Sequence, residues 1–186
     1  MKVNIRPLSL PGVGLIAGTR ISDRRGYFSE CYVRADFVAA GLTNDFMQDN
    51  QSCSVAVGTV RGLHFQSPPF AQAKLVRVLK GRILDVVVDL RRSRPTYGRH
   101  AAVEIGEEGG EQLYVPSGFA HGFCTLEPDT VVLYKVDNAY SPQHDRGVNW
   151  ADPELAIDWP VREGDAVISD KDRALPRLRD LPPYFD

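Results

Sequence analysis

The chain reads as a mainly β protein of sandwich or barrel type. Short apolar segments recur between turn residues, with 13 prolines and 16 glycines scattered as punctuation. Residues 82–90 alternate cleanly: Leu84, Val86, Val88 and Leu90 share one face while Asp85 and Asp89 fall on the other. Helical periodicity is sparse by comparison.

Taken in order, residues 35–40, closed by Gly41, form a short helix candidate. Residues 72–79, 82–90, 100–105, 112–115 and 130–136 are strand candidates, and Lys80-Gly81 supplies a tight turn between the first two. Arg91 to Arg99 is a basic run whose Ser, Pro and Gly content predicts a solvated loop. A second short helix is expected around residues 152–156. Closing such strands into a barrel removes exposed edges, and barrel interiors are where small ligands sit.

A length of 186 residues suits one domain, and no repeat, low-complexity block or linker divides the chain. Hydrophobic residues make up 43% and charged residues 25%, an ordinary globular balance. The formal net charge of −2 argues against nucleic-acid or membrane partners, which select a basic excess. Cys31, Cys53 and Cys124 are odd in number and match neither a CxxC pair nor a zinc spacing, so they are expected to be free thiols in a reducing compartment. No signal-like or membrane-spanning stretch is evident, which makes the cytoplasm the expected location.

Candidate chemistry gathers in a few segments. Residues 60–66 (VRGLHFQ) and 71–76 (AQAKLV) put Arg61, His64 and Lys74 into apolar, strand-like surroundings, where each is costly to bury without a purpose. Arg61 and His64 are three apart, so a regular strand points them to opposite faces. Gly62 between them permits a bulge that re-aims one. Residues 115–123 (VPSGFAHGF) carry a Pro-x-Gly turn followed by His121, similar to the second signature motif of the cupin superfamily of small β-barrels. Many cupins hold a metal with His-x-His and a downstream Glu. Here Gln66 replaces the second His and no Glu follows before Lys74, so no metal is expected, a first-row ion usually needing at least three such ligands. Taken singly, Tyr134 suits a structural role on an alternating strand, and residues 169–172 (SDKD) suit a charged surface turn.

Together these segments resemble the dTDP-4-dehydrorhamnose 3,5-epimerase family. The matching text is DRRGYFSE, QDNQS, VRGLHFQ, AQAKLV, GRILDVVVDLRRSRPTYG, VPSGFAHGF, LYKVDNAYSP, WADPELAIDWP and SDKD, in that order over nearly the whole chain. The resemblance implies one cupin-like domain over residues 1–186, a double-stranded β-helix or jelly-roll barrel with short peripheral helices. It also implies a homodimer to which N-terminal strands contribute, a C-terminal extension packed on the barrel, and no cofactor. The implied activity is inversion of C3 and C5 of dTDP-4-dehydro-6-deoxy-D-glucose in deoxysugar synthesis, by proton transfer through an enolate.

By the same resemblance His64 is the base, Asp172 fixes and polarises its imidazole, Lys74 stabilises the oxyanion at C4, and Tyr134 returns a proton from the opposite face. Arg25 and Arg61 correspond to diphosphate or sugar contacts, and Glu30, Gln48 and Asn50 to nucleotide and sugar contacts. His121 corresponds to a polar contact near the reacting sugar, Lys171 to a phosphate-side contact and Tyr140 to a residue stacked on thymine. Phe28 and Phe123 correspond to pocket walls. Asp145 takes a position where the family often has Glu, with a shorter arm. The N-terminal residues are expected to serve the neighbouring subunit's site. Three alternatives stay open on sequence: a single-carbon epimerase of a dTDP-4-keto-sugar, a non-catalytic sugar-nucleotide binding module, and a metal-dependent cupin oxygenase or isomerase.

Overall fold

The computed structural model describes residues 3–186, and its architecture is two facing antiparallel sheets plus a projecting hairpin. In chain order the strands are β1 (Ile5–Pro7), β2 (Gly14–Ile16), β3 (Ile21–Asp23), β4 (Gly26–Phe28), β5 (Gln48–Ser54), β6 (Val60–Gln66) and β7 (Lys74–Lys80). They continue with β8 (Arg82–Asp89), β9 (His100–Gly106), β10 (Gln112–Val115), β11 (Phe119–Thr125), β12 (Thr130–Val136) and β13 (Asp145–Gly147). Helix α1 (Arg34–Ala39) precedes β5, and α2 (Asp170–Arg173) lies near the C-terminus. One sheet runs β1-β2-β10-β7-β12-β5, the other β13-β6-β11-β8-β9, and β3-β4 pair only with each other. The order within each sheet is non-consecutive, so the chain crosses repeatedly between them and winds a jelly-roll barrel of the cupin type.

The main apolar core lies between the sheets, with Leu15, Val76, Val78, Leu113 and Val132 from one and Ile83, Val87, Ala101, Ile105, Phe119 and Phe123 from the other. A second core covers the outer face of β6 and β8, where Leu63, Phe65, Val86, Val88 and Leu90 meet Leu155, Leu178 and Leu181 of the C-terminal segment. Both faces of β8 are therefore buried, and the carboxylates of Asp85 and Asp89 are fully enclosed. Helix α1 seats Phe37 on the outer face of the other sheet, against Ile16, Leu75 and Tyr114. Burying one such phenyl ring contributes about 1.5–3 kcal/mol.

Two local expectations give way. Residues 152–156 form turns rather than a helix. The buried Asp152 carboxylate accepts from Glu154 N at 3.0 Å and from Leu178 N at 2.8 Å, which ties this turn to the C-terminal segment, and Ala156 adopts a left-handed backbone (φ 48°) that no right-handed helix can continue through. The basic run is only partly solvated. Arg91 binds buried Asp89 through Nε and Nη2 and stacks on Phe119, while Arg92 donates to Leu181 O at 2.7 Å. Among the described residues no helix is long and apolar enough to cross a membrane. The three cysteines are free.

Candidate active site

A two-lobed cavity lies between the sheets, with lobes of about 430 Å³ and 240 Å³. His64, Lys74, Tyr134 and Lys171 line both lobes and so mark their junction. The six-stranded sheet supplies one wall. On β5 the period of two turns Gln48, Asn50 and Ser52 inward and leaves Asp49, Gln51 and Cys53 exposed. Asn50 is in register with Tyr134 of β12, which in turn faces Val76 of β7. Lys74 lies two positions from Val76 and so shares the inward face with Tyr134.

The opposite wall depends on a distortion in β6. His121 of β11 pairs with His64 and Phe123 pairs with Arg61, so three residues of β6 span the space of two on β11. The extra residue is a bulge at Gly62-Leu63, and it brings Arg61 to the cavity side together with His64. Leu63 and Phe65 are left to the outer core. Only glycine fits here: its φ is 125°, and a Cβ would lie 2.6 Å from Gly122 Cα and 2.9 Å from His121 O.

The bulge also builds the first imidazole–carboxylate pair. His64 Nε2 lies 2.7 Å from Asp172 Oδ1, and Gly62 N donates to Asp172 Oδ2 at 3.1 Å. Ser169 caps the short helix α2 by accepting from Asp172 N, which aims this carboxylate at β6. Burial alone raises the Asp172 pKa, but the hydrogen bond and charge of His64, with the Gly62 amide, outweigh it and hold the carboxyl below its ordinary value. An ionised carboxylate only accepts, so Nε2 of His64 carries the hydrogen and Nδ1 is the basic nitrogen of the neutral ring.

Lys74 is 8% exposed, and its Nζ donates to His64 O at 3.2 Å. Burial pulls its pKa down to about 8, against the attraction of Asp85 and Asp145. Tyr134 moves the other way: burial raises its phenol, Arg61 opposes this, and Asp145 and Tyr140 add to it, so the hydroxyl keeps its proton at neutral pH. His121 Nε2 lies 2.7 Å from Asp85 Oδ1, a second and more deeply buried imidazole–carboxylate pair. At the rim, Asp145 Oδ2 accepts from Tyr140 OH at 3.1 Å and from Lys171 Nζ. Gln48 Nε2 donates to Asn50 Oδ1 at 2.8 Å.

Gln66 is engaged in holding loops. Its amide nitrogen donates to Phe70 O and Ala139 O, and its oxygen accepts from Ser141 N. Among the described residues no group of three or more His, Cys, Asp or Glu side chains has metal-binding geometry.

Of the residues singled out in the sequence, His64, Lys74, Tyr134, Asp172, Gln48, Asn50, Arg61, His121, Phe123, Tyr140, Asp145 and Lys171 converge on this cavity. Arg25 and Phe28 lie elsewhere, on the β3–β4 hairpin, beside a separate cleft with Ile21 and Tyr27. Phe28 is 64% exposed, and Glu30 just beyond it is also exposed. Sequence reasoning passed over Ser52, Gln72 and Asp85. Only Asp85 carried a signal, a carboxylate set between Leu84 and Val86 in an apolar run.

Comparison with known proteins places the chain. The family model for dTDP-4-dehydrorhamnose 3,5-epimerase matches residues 7–180. A dTDP-4-dehydrorhamnose 3,5-epimerase of Sinorhizobium fredii is 49% identical over 178 residues, 96% of this chain and 91% of that protein. The crystal structure of the Bacillus anthracis dTDP-4-dehydrorhamnose 3,5-epimerase with TDP and PPi bound superposes with a TM-score of 0.91 at 46% identity, covering 94% of this chain and 99% of that one. A Legionella pneumophila dTDP-6-deoxy-D-glucose-3,5-epimerase, solved with dTDP-4-keto-L-rhamnose, gives 0.92 at 37% identity, covering 97% and 95%. With the model and these relatives spanning nearly its whole length, the chain belongs to the dTDP-4-dehydrorhamnose 3,5-epimerase family.

Proposed function

We propose that the chain inverts C3 and C5 of dTDP-4-dehydro-6-deoxy-D-glucose, giving dTDP-4-dehydro-L-rhamnose, with His64, Lys74, Tyr134 and Asp172 as its proton-transfer machinery. The observation that carries this assignment is the convergence of His64 and Tyr134 from opposite sheets on one cavity, with Lys74 lining the same junction.

A C–H beside a ketone is weakly acidic, so its removal needs a placed base and a fixed positive charge at the oxygen. Nδ1 of His64 takes the proton, and the ionised Asp172 stabilises the imidazolium that forms. The Lys74 ammonium holds the enolate oxygen at C4, a preorganised contact worth about 3–4 kcal/mol. C3 and C5 both flank C4, so one lysine serves both enolates. The Tyr134 phenol, still protonated at neutral pH, delivers a proton from the other face, and the carbon inverts. Solvent then reprotonates the tyrosine and takes the proton from the histidine, which leaves no net redox change and needs no cofactor.

Arg61 is assigned to the diphosphate or sugar, Lys171 to the phosphate side and Tyr140 to stacking on the thymine; that Arg61 and Lys171 line the cavity and Tyr140 is exposed at its rim supports these roles. Arg25, Phe28 and Glu30 are assigned to the cavity of a second copy of the chain in a homodimer. Arg25 and Phe28 are exposed on a hairpin that pairs with neither sheet, and Glu30 is exposed just beyond it, which supports that assignment. The enzyme is assigned to the cytoplasm, and no cofactor is required.

The test is incubation with the dTDP-4-keto-sugar in heavy water. Deuterium is expected at both C3 and C5; entry at one carbon alone reduces the enzyme to a single epimerase, and no entry refutes the assignment.

A further inference from the structure

Tyr140 is 56% exposed, and its side chain is tied by a rim hydrogen bond from its hydroxyl to Asp145 Oδ2 at 3.1 Å. Such a bond at the surface contributes little, so the place of the ring is set by the backbone that carries it. Residues 138–141 each give one backbone group to a glutamine side chain. Asn138 O accepts from Gln72 Nε2 at 2.7 Å, and Ala139 O accepts from Gln66 Nε2 at 3.0 Å. Tyr140 N donates to Gln48 Oε1 at 3.3 Å, and Ser141 N donates to Gln66 Oε1 at 2.7 Å. These glutamines come from β5, the end of β6 and the segment before β7, and all three line the larger lobe of the cavity.

Gln66 holds the most. It is 4% exposed, and it grips both residues that flank Tyr140. Its amide nitrogen also donates to Phe70 O at 2.7 Å, and Asn138 Nδ2 donates to Pro69 O at 3.2 Å, so the 138–141 loop is fixed to the neighbouring 67–70 turn. Both amide hydrogens of Gln66 are engaged within the protein, and its influence on a ligand runs through the loop. A loop ordered in advance loses less conformational entropy when a ligand arrives.

We propose that Gln66, aided by Gln72, is a positioning residue for nucleobase binding, a buried amide that fixes the backbone on both sides of Tyr140 so that the ring stands ready for the thymine. The proposal rests on the role given to Tyr140 above, and its test separates the two. Binding of dTDP and of inorganic pyrophosphate is measured by calorimetry for the wild type, Gln66→Met, Tyr140→Ala and the double variant. Methionine keeps the length of the side chain and removes its three hydrogen bonds to the two loops. Gln66→Met is expected to weaken dTDP binding roughly tenfold, the scale of the cost of ordering a loop on binding, and to leave pyrophosphate binding unchanged. KM is expected to rise with little change in kcat. In the Tyr140→Ala background the same substitution is expected to cost no further affinity.

Equal losses toward dTDP and pyrophosphate, or a full loss repeated in the Tyr140→Ala background, overturn the proposal and leave Gln66 a general support of the fold. Normal dTDP binding by Gln66→Met, where Tyr140→Ala binds weakly, overturns it as well and leaves the thymine assignment standing. Normal dTDP binding by Tyr140→Ala overturns the thymine assignment, and the proposal falls with it. Where Gln66→Met does not fold, Gln72→Met takes its place in the cycle and removes only the tie to Asn138. A loss of dTDP affinity that vanishes in the Tyr140→Ala background supports the proposal, and a loss that persists there, or no loss, overturns it.

Discussion

Lys74→Met should make the protein more stable and nearly inactive, and the stability gain should depend on pH in one direction only. The folded-state pKa of Lys74 lies at about 8 instead of 10.5, mainly because burial strips its hydration. That drop corresponds to about 3 kcal/mol of destabilisation at neutral pH, and the value already includes the attraction of Asp85 and Asp145. Methionine fills nearly the same space without the charge. It leaves the His64 carbonyl without its lysine donor, at a cost of about 1 kcal/mol, so the net gain is about 2 kcal/mol. For a chain of this length, 2 kcal/mol raises Tm by roughly 4–8 °C. Below pH 8 both folded and unfolded lysine are protonated and the penalty is complete. Between pH 8 and 10.5 the unfolded chain alone keeps the proton, and the wild type catches up with the variant. Calorimetric unfolding at a series of pH values from 7 to 10 measures this. A Tm that falls on substitution, or a gain that is constant across that window, refutes the account of Lys74 as a net-unfavourable buried ammonium. Turnover should fall by roughly 10²–10³-fold, the loss typical of a missing oxyanion partner.

Asp172→Asn should slow turnover by roughly 10²–10⁴-fold while dTDP still binds, since only the orientation and charge of His64 change; near-normal kcat contradicts the pairing. Because the folded Asp172 pKa is depressed, its charge stabilises the fold at neutral pH, and this contribution disappears as pH falls through the depressed value. The urea midpoints of wild type and Asp172→Asn should therefore converge in acid, and a constant gap counts against the shift. Gly62→Ala forces a Cβ to within 2.6 Å of Gly122 Cα at a backbone angle that favours glycine, and about 3 kcal/mol of stability should be lost in urea unfolding. A loss below about 1 kcal/mol means that the bulge yields easily. Tyr134→Phe should retain deuterium exchange at a carbon next to the ketone but lose inversion; equal damage to both steps removes Tyr134 as the acid.

The alternation of residues 82–90 and 130–136 was readable because burial on a strand is a local, period-two property, and β8 and β12 form where that pattern stands. The same logic hid β5, whose inward side chains are Gln48, Asn50 and Ser52; a strand that lines a polar cavity shows no apolar face. It also misjudged residues 152–156, where the left-handed Ala156 ends any helical path, and Arg91, which a buried aspartate draws inward.

By itself the sequence determined the fold class, the turn glycines and the ordered motifs that join this chain to its family. Tertiary structure alone decided which distant side chains meet. His64 and Asp172 lie 108 positions apart in the chain and touch because a one-residue bulge at Gly62 turns β6 while a capped helix delivers the carboxylate. Asp145 faces Lys171, and Asp85 meets His121, because strand register and sheet packing set the distances over which charges act. Those distances are properties of the closed barrel and are not encoded in any single segment.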